Sequence, residues 1–300
     1  MELRHLRYFV AVAEEGSVSL AAERRLHTAQ PSLSRQLRDL ELEIGARLMT
    51  RGSRGIELTA AGRVFLDHAR VALLQVEAAA EAARRAAQPA KFRFVVGFLT
   101  GIEMEWMSPL MAVLADALPT TEVTIVSQQS PDLAAGLMRN TIDVAFLRPE
   151  KNAPGLSFRL LRQEPLIVLL SAEHRLAQKT AIRPEDLRGE TLVGVPNSNS
   201  PALRAVTDRY GRDIGIDLTP DHEALNIAMA ISLVASTNGV SLLPLYVRNM
   251  LPPSVVSRPI EGVAPTIDLV LGFNEANGSP LLKSLLGRVD DLKFRVTEVN

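Results

Sequence analysis

Thr28-Ala29-Gln30-Pro31-Ser32-Leu33-Ser34-Arg35-Gln36-Leu37 is the stretch that decides how this chain is read. Thr28 is a good N-cap residue. Pro31 in a first helical turn is harmless, because the N–H it lacks has no partner there anyway. Leu33, Leu37, Leu40 and Ile44 then recur at spacings of 4, 3 and 4 up to Gly45, marking one buried face of a helix. Thr28, Gln30, Ser32, Ser34 and Arg35 cluster at the start of that helix, away from Leu33 and Leu37; with Pro31 among them and Arg38 one turn later, these are the candidate DNA-contact residues. Side chains of this kind suit the edges of base pairs. Gln pairs bidentately with adenine and Arg with guanine, while hydroxyls contact phosphates or base edges. The helix N-terminus itself favours a phosphate. Each of these side chains would equally serve as an ordinary solvated surface group.

Moving outward, Leu3, Leu6, Phe9, Val10, Val12 and Ala13 have helical spacing over residues 3–15. Gly16 ends that helix, and Ser17 can cap the next, which starts at Val18 and carries Ala21, Ala22 and Leu26. Beyond Gly45, Leu48-Met49, a polar turn over 51–55 and Ile56-Glu57-Leu58 read as a short β-hairpin, or wing. Arg51 and Arg54 in that wing are candidates for phosphate or minor-groove contact. The formal net charge of the chain is −1, but between Arg24 and Arg54 seven arginines face three acids. A local positive excess is what phosphate contact needs. GC-rich coding would also produce arginines without lysine before Lys91.

These residues carry a family resemblance. Leu3-Arg4-His5-Leu6-Arg7-Tyr8-Phe9, Gly16-Ser17, Ala21-Ala22, Gln30 to Leu37, Leu40-Glu41, Ile44-Gly45 and Leu58-Thr59-Ala60-Ala61-Gly62 resemble the LysR-type transcriptional regulators, and a looser likeness runs through Gly239-Val240-Ser241-Leu242-Leu243-Pro244. Within the family the chain looks most like regulators of aromatic-acid catabolism (phenylpropionate, cinnamate, benzoate), partly on Arg258-Pro259-Ile260-Glu261-Gly262. The resemblance implies an N-terminal winged helix-turn-helix whose third helix enters the major groove, then a long linker helix. After these it implies an α/β, two-lobed effector domain like the type 2 periplasmic binding proteins. One departure stands out: Ala22 to Gln30 is one residue longer than the family's usual spacing, around Arg24-Arg25. An inserted residue rotates the downstream part of a helix by about 100° unless the turn absorbs it.

Thr59 caps a long helix from Ala60 to about Gln88. Leu66, Ala69, Leu73, Val76, Ala80, Ala83 and Ala87 repeat at heptad spacing along this helix, whose full length is roughly 43 Å. The seam fits self-association; packing against its own domain is the alternative. Gln88-Pro89-Ala90 reads as a hinge. Beyond it, β-branched runs (Phe92–Val96, Val123–Val126, Ile142–Phe146, Leu166–Leu170, Leu192–Val195, Val240–Leu243, Ile267–Leu271) alternate with helical stretches. That alternation predicts mostly parallel strands covered by helices. The expected division is a DNA-binding domain over 1–59, a linker over 60–88 and an effector domain over 89–300. Lobe I is expected at about 91–163 and 267–300, and lobe II at about 164–266.

By the resemblance, a ligand lies between lobes against strand ends and helix N-termini. The candidate effector-binding residues are Thr100, Gly101, Ser130, Arg148, Ser198, Asn199, Ser200 and Ile227. Relatives tend to have Ser where this chain has Gly101, so Thr100 is the candidate hydroxyl. Hydroxyls, amides and an Arg fork suit a small carboxylate, expected to be aromatic. Ser130 and Ser200 serve equally as plain N-caps, and Arg148 as an ion-pair partner. Trp106 reads as core.

Zero cysteines exclude disulfides and thiolate metal sites, and the five histidines are scattered, so no metal or other cofactor is expected. Neither a nucleotide-binding glycine motif nor a hydrolase or zinc-protease motif is present, and the chain is not expected to be an enzyme. The N-terminus has no basic start with an apolar run, and no stretch of about 18 apolar residues lacks a charge. The expected setting is the bacterial cytoplasm. The expected partners are double-stranded promoter DNA, RNA polymerase, a second copy in a homodimer or homotetramer, and the small effector.

Overall fold

The computed structural model describes residues 1–52, 55–87 and 92–292. It divides into two compact units, Met1–Ala87 and Gln88–Asn300. The Gln88-Pro89-Ala90 segment lies outside the described residues.

In the first unit, α1 (Leu3–Glu15) ends on Gly16 at φ 62°, the left-handed conformation a helix C-terminus commonly adopts. Ser17 caps α2 (Val18–Leu20) by accepting the Leu20 N–H at 3.3 Å. The chain then widens into a π-helical turn, Ala21–Arg25. The Leu26 N–H reaches back five residues to the Ala21 carbonyl at 3.0 Å, and the Thr28 N–H reaches the Ala22 carbonyl at 3.1 Å. Arg24-Arg25, where the sequence runs one residue long against the resemblance, lies in this turn. Ala21 and Ala22 stay buried and Leu26 still packs on the head's core. His27 comes next at φ 46°, turning the chain into α3 (Gln30–Ile44).

Thr28 does not cap that helix. The cap position falls one residue later, to Ala29 in extended backbone, which offers no side-chain bond. Leu33, Leu37 and Leu40 of α3 pack with Phe9 and Val12 of α1 in one core, while Ile44 is left at the exposed rim. The wing pairs β1 (Met49–Gly52) with β2 (Gly55–Leu58). It is pinned to the end of α1, because the Ile56 N–H donates to the Gly16 carbonyl at 2.7 Å. Gly55 is required there: a Cβ would stand 2.5 Å from that carbonyl, at φ 128°. Thr59 accepts the Gly62 N–H at 2.9 Å and starts α4 (Ala60–Ala87), whose Phe65 packs edge-on against Phe9.

The second unit begins with β3 (Phe92–Leu99), which lies between β4 (Thr121–Gln128) and β5 (Val144–Leu147), all parallel. Their crossovers are α5 (Glu103–Leu114) and α6 (Ser130–Met138). The parallel pattern stops there. β11 (Thr266–Asn274) runs antiparallel to β5 and to β6 (Leu156–Ser171). β6 in turn is antiparallel to β9 (Val240–Pro244) and β10 (Val255–Pro259). The sheet is therefore mixed rather than mostly parallel. The chain leaves through β6 and returns through β11, and an outgoing strand laid beside its return must be antiparallel.

β6 changes partners along its length. Through Pro165 it pairs with β11; from Leu166 it pairs with β9 and, from Ile167, with β10. Between β6 and β9 come β7 (Val193–Gly194), α7 (Pro201–Ile214), β8 (His222–Glu223), which pairs with β7, and α8 (Ile227–Thr237), which packs on β6. α9 (Pro280–Gly287) closes the described chain on the other side, with Leu282 and Leu285 buried. Trp106 is 1% exposed beside the stacked pair Phe98 and Phe146, a core position. Among the described residues no helix is long and apolar enough to cross a membrane, and no cluster could hold a metal ion.

Candidate functional site

Two surfaces carry the polar candidate side chains, one in each unit. In the first unit α3 turns Leu33, Leu37 and Leu40 inward, while Leu42 and the polar residues of its first turns face solvent. Gln30, Pro31, Ser32, Arg35 and Arg38 are exposed and Ser34 is half-exposed. Gln30 donates from Nε2 to Ser34 Oγ at 3.1 Å, one helical turn on. Arg38 donates from Nε to the Ser34 carbonyl at 3.3 Å. Arg35 is 79% exposed and stands 4.0 Å from Asp39, a weak surface pair. Gln30, Pro31, Ser34 and Arg38 line one side of an open groove whose other side includes Thr50 of the wing. Thr28 is half-buried before the helix begins. Arg54 lies outside the described residues, as does the side chain of Arg51.

The second surface is a cleft at the carboxyl ends of β3, β5 and β9. Three helix N-caps reach it: Gln129 before α6, Ser200 before α7 and Asn226 before α8. Leu99, Val195, Ile227 and Tyr246 give it apolar walls. Its free core is about 20 Å³, the room of one water, so anything larger has to part the walls.

Arg148 is the polar centre of this cleft. It is 2% exposed and pairs through Nη2 with Glu164 Oε2 at 2.5 Å, itself 1% exposed. Its Nη1 is buried with no hydrogen-bond partner. A desolvated guanidinium N–H without an acceptor is costly, so it marks a place where an acceptor is wanted. Tyr246 lies under the guanidinium at 5.7 Å and donates from its hydroxyl to the Thr100 carbonyl at 3.3 Å; burial pushes its phenol well above the ordinary range. Glu164 also accepts from Arg162, which forms a fork on Glu105 of α5 at 2.6 and 2.7 Å. Burial works against the Arg162 charge, but its bonds to Glu105 and the charge of Glu164 more than offset this and raise its pKa.

Of the candidate effector-binding residues, the structure brings Arg148, Ser200 and Ile227 to the cleft wall. Ser130 is not a cap. It is the first residue inside α6, buried, and its Oγ accepts the Arg148 N–H at 2.9 Å. It therefore orients the arginine from behind. Ser198 donates to Asn199 Oδ1, and Asn199 donates to the Leu225 carbonyl at 2.9 Å, which ties one loop to the next rather than facing the cleft.

Thr100 accepts from Ser127 Oγ at 3.2 Å, so its hydroxyl is turned toward β4. Gly101 sits at φ 95°, where a Cβ would meet Met250 and Tyr246 within 2.9 Å. A serine in this position would be strained and crowded, which accounts for the glycine. Sequence reasoning missed Tyr246 and Glu164 altogether. The one available signal was a charged residue, Glu164, just before an apolar run.

Comparison with known proteins falls along the same division. A family model described as "Bacterial regulatory helix-turn-helix protein, lysR family" matches residues 3–63, and one described as "LysR substrate binding domain" matches residues 87–292. The Hca operon transcriptional activator HcaR of Escherichia coli (strain K12) is 34% identical over 297 residues, covering 99% of this chain and 100% of that protein. The transcriptional regulator AlsR of Bacillus subtilis (strain 168) is 32% identical over 286 residues, covering 95% and 94%. Among solved structures, full-length BenM superposes with a TM-score of 0.60 at 28% identity, over 98% of this chain and 97% of that one. Full-length CbnR complexed with its target DNA gives 0.57 at 28% identity, over 98% and 100%.

Proposed function

The chain belongs to the LysR family of bacterial helix-turn-helix regulators, and from that premise we propose that it binds promoter DNA through the exposed face of α3 and answers to a small aromatic carboxylate held beside Arg148, controlling a catabolic operon. The observation that carries the effector reading is the unpartnered Nη1 of Arg148, buried at the meeting point of three helix N-termini. Helix N-termini and a guanidinium all favour an anion. The apolar walls fit a ring, and Gln129, Ser200 and Asn226 supply orienting polar groups. Glu164 already neutralises Arg148 in part, so the ligand is held by directed bonds more than by bulk charge.

For the DNA reading, Gln30, Ser32, Ser34 and Arg35 contact base edges while Arg38 and the wing arginines contact phosphate. The long α4 associates with its counterpart in a second copy, and Ala80 and Ala83 of its heptad seam are exposed. Two paired heads then span two half-sites, and a homotetramer bends the DNA between them. Closure of the effector cleft changes that geometry and with it contact to RNA polymerase. The cytoplasm is the setting in which promoter DNA and polymerase are met.

The test is a thermal-shift panel of benzoate, cinnamate, 3-phenylpropionate and matched neutral amides. Stabilisation by an acid but not by its amide, lost in Arg148→Gln, supports the reading. A flat panel refutes the effector class. Gel shift against the chain's own promoter region tests the DNA claim; binding that ignores sequence and salt counts against it.

A further inference from the structure

Glu14 lies in the last turn of α1, where the helix dipole disfavours an acid. Two arginines from two other elements hold it there. Arg25, the final residue of the π turn, donates from Nη1 to one carboxylate oxygen. Arg70 on α4 donates to the other from Nε at 3.2 Å and Nη2 at 2.7 Å. The three side chains are between 31% and 46% exposed, so the cluster is neither sealed nor fully solvated. Burial raises the Glu14 carboxyl, and the bonds from Arg25 and Arg70 bring it below its ordinary value.

This joins two facts that the fold leaves separate. Arg25 ends the π turn, and π turns tend to mark functional positions. An ordinary helical turn, one residue shorter, would swing the downstream residues by about 100° and carry Arg25 off Glu14. We infer that the Arg25–Glu14–Arg70 bridge is a positioning device that fixes the orientation of the reading head on α4, with Glu14 as its central residue, and that the π turn serves to carry Arg25 to it. This rests on the proposed DNA-reading function. α4 is the element through which heads pair, so the angle each head makes with α4 sets the half-site spacing the protein accepts.

Two measurements on the full chain test it. Hydrogen exchange reports on the bridge without DNA. Arg70→Ala, on another helix far along the sequence, is expected to speed exchange at the Leu26 and Thr28 amides about threefold, the scale of a partly exposed ion pair. Glu14→Gln does the same, and Arg70→Lys, which keeps the charge and loses the fork, falls between. Unchanged exchange at those amides overturns the bridge.

Gel shift on two operators differing by one base pair between half-sites reports on positioning. Wild type discriminates between them, and Glu14→Gln narrows that discrimination by about threefold. If Glu14→Gln weakens both operators by one common factor, the residue is structural only and the positioning role is refuted. If wild type itself ignores sequence, the DNA reading fails, while the exchange measurement still decides the bridge.

Discussion

The reading head and the ligand cleft solve opposite problems with the same residue types. On α3 the polar side chains are displayed, with Arg35 79% exposed and its nearest acid at 4.0 Å. In the cleft they are withdrawn, with Arg148 2% exposed and locked at 2.5 Å to a carboxylate that is 1% exposed. A displayed arginine is free to meet a large charged partner and adds little to folding. A withdrawn one is part of the fold's own accounting, and what it offers a ligand is only the donor left over. The head should therefore lose function without losing stability, and the cleft should lose both.

Removing Glu164 is the harshest break. Glu164→Leu leaves Arg148 buried without its partner and should lower unfolding stability by about 3–5 kcal/mol in urea titration. Replacing both partners, Arg148→Met with Glu164→Met, should be less harmful than the single change, since no uncompensated charge remains. A milder break is Ser130→Ala, which deprives the Arg148 N–H of its acceptor. It should lose about 1–3 kcal/mol of stability and weaken binding of any carboxylate that stabilises wild type.

On the other side of the comparison, Arg38→Ala should leave the melting temperature nearly unmoved, within about 0.5 kcal/mol. It should flatten the salt dependence of DNA binding by about one unit of slope. A stability loss there as large as that of Ser130→Ala would erase the contrast.

The smallest expected effect concerns Glu150, at the loop beyond Arg148. Burial pushes its carboxyl up to about 7, and Oε1 has no partner. The folded state then holds that proton more tightly than the unfolded chain does. Its contribution favours folding least at high pH, and stability declines as pH rises from about 4.5 through 7. Glu150→Gln should remove that decline, read as a flatter melting temperature against pH.

The contrast also explains what the sequence disclosed. The head was legible because its elements are short-range. The leucine spacing of α3, the Ser17 cap and the Thr59 cap are each written within a few residues, and the bonds to Leu20 and Gly62 form as those residues imply. Even the extra residue near Arg24-Arg25 was visible, though its π geometry was not. Thr28 was misplaced because the helix starts one residue later than the spacing implied, with Ala29 at the cap.

The cleft was legible only in outline. Arg148 stood out as a polar residue ending an apolar run. Its partner lies sixteen residues on, in the half of β6 where Arg159, Arg162, Gln163 and Glu164 interrupt the apolar pattern. That half did not read as a strand, because its charges are satisfied across the sheet and by α5, which local spacing does not reveal. The same blindness put parallel strands where β6 and β11 run against each other.

β6 has one more consequence. A single unbroken strand passes from one set of partners to the other at Pro165, and β11 begins beside it, with the Leu166 N–H bonded to the Pro265 carbonyl at 2.8 Å. A ribbon of this kind can twist and bend but cannot slide or come apart without breaking its own ladder. Parting the walls around Arg148 with these bonds intact therefore means twisting or bending the two strands together, not sliding one past the other.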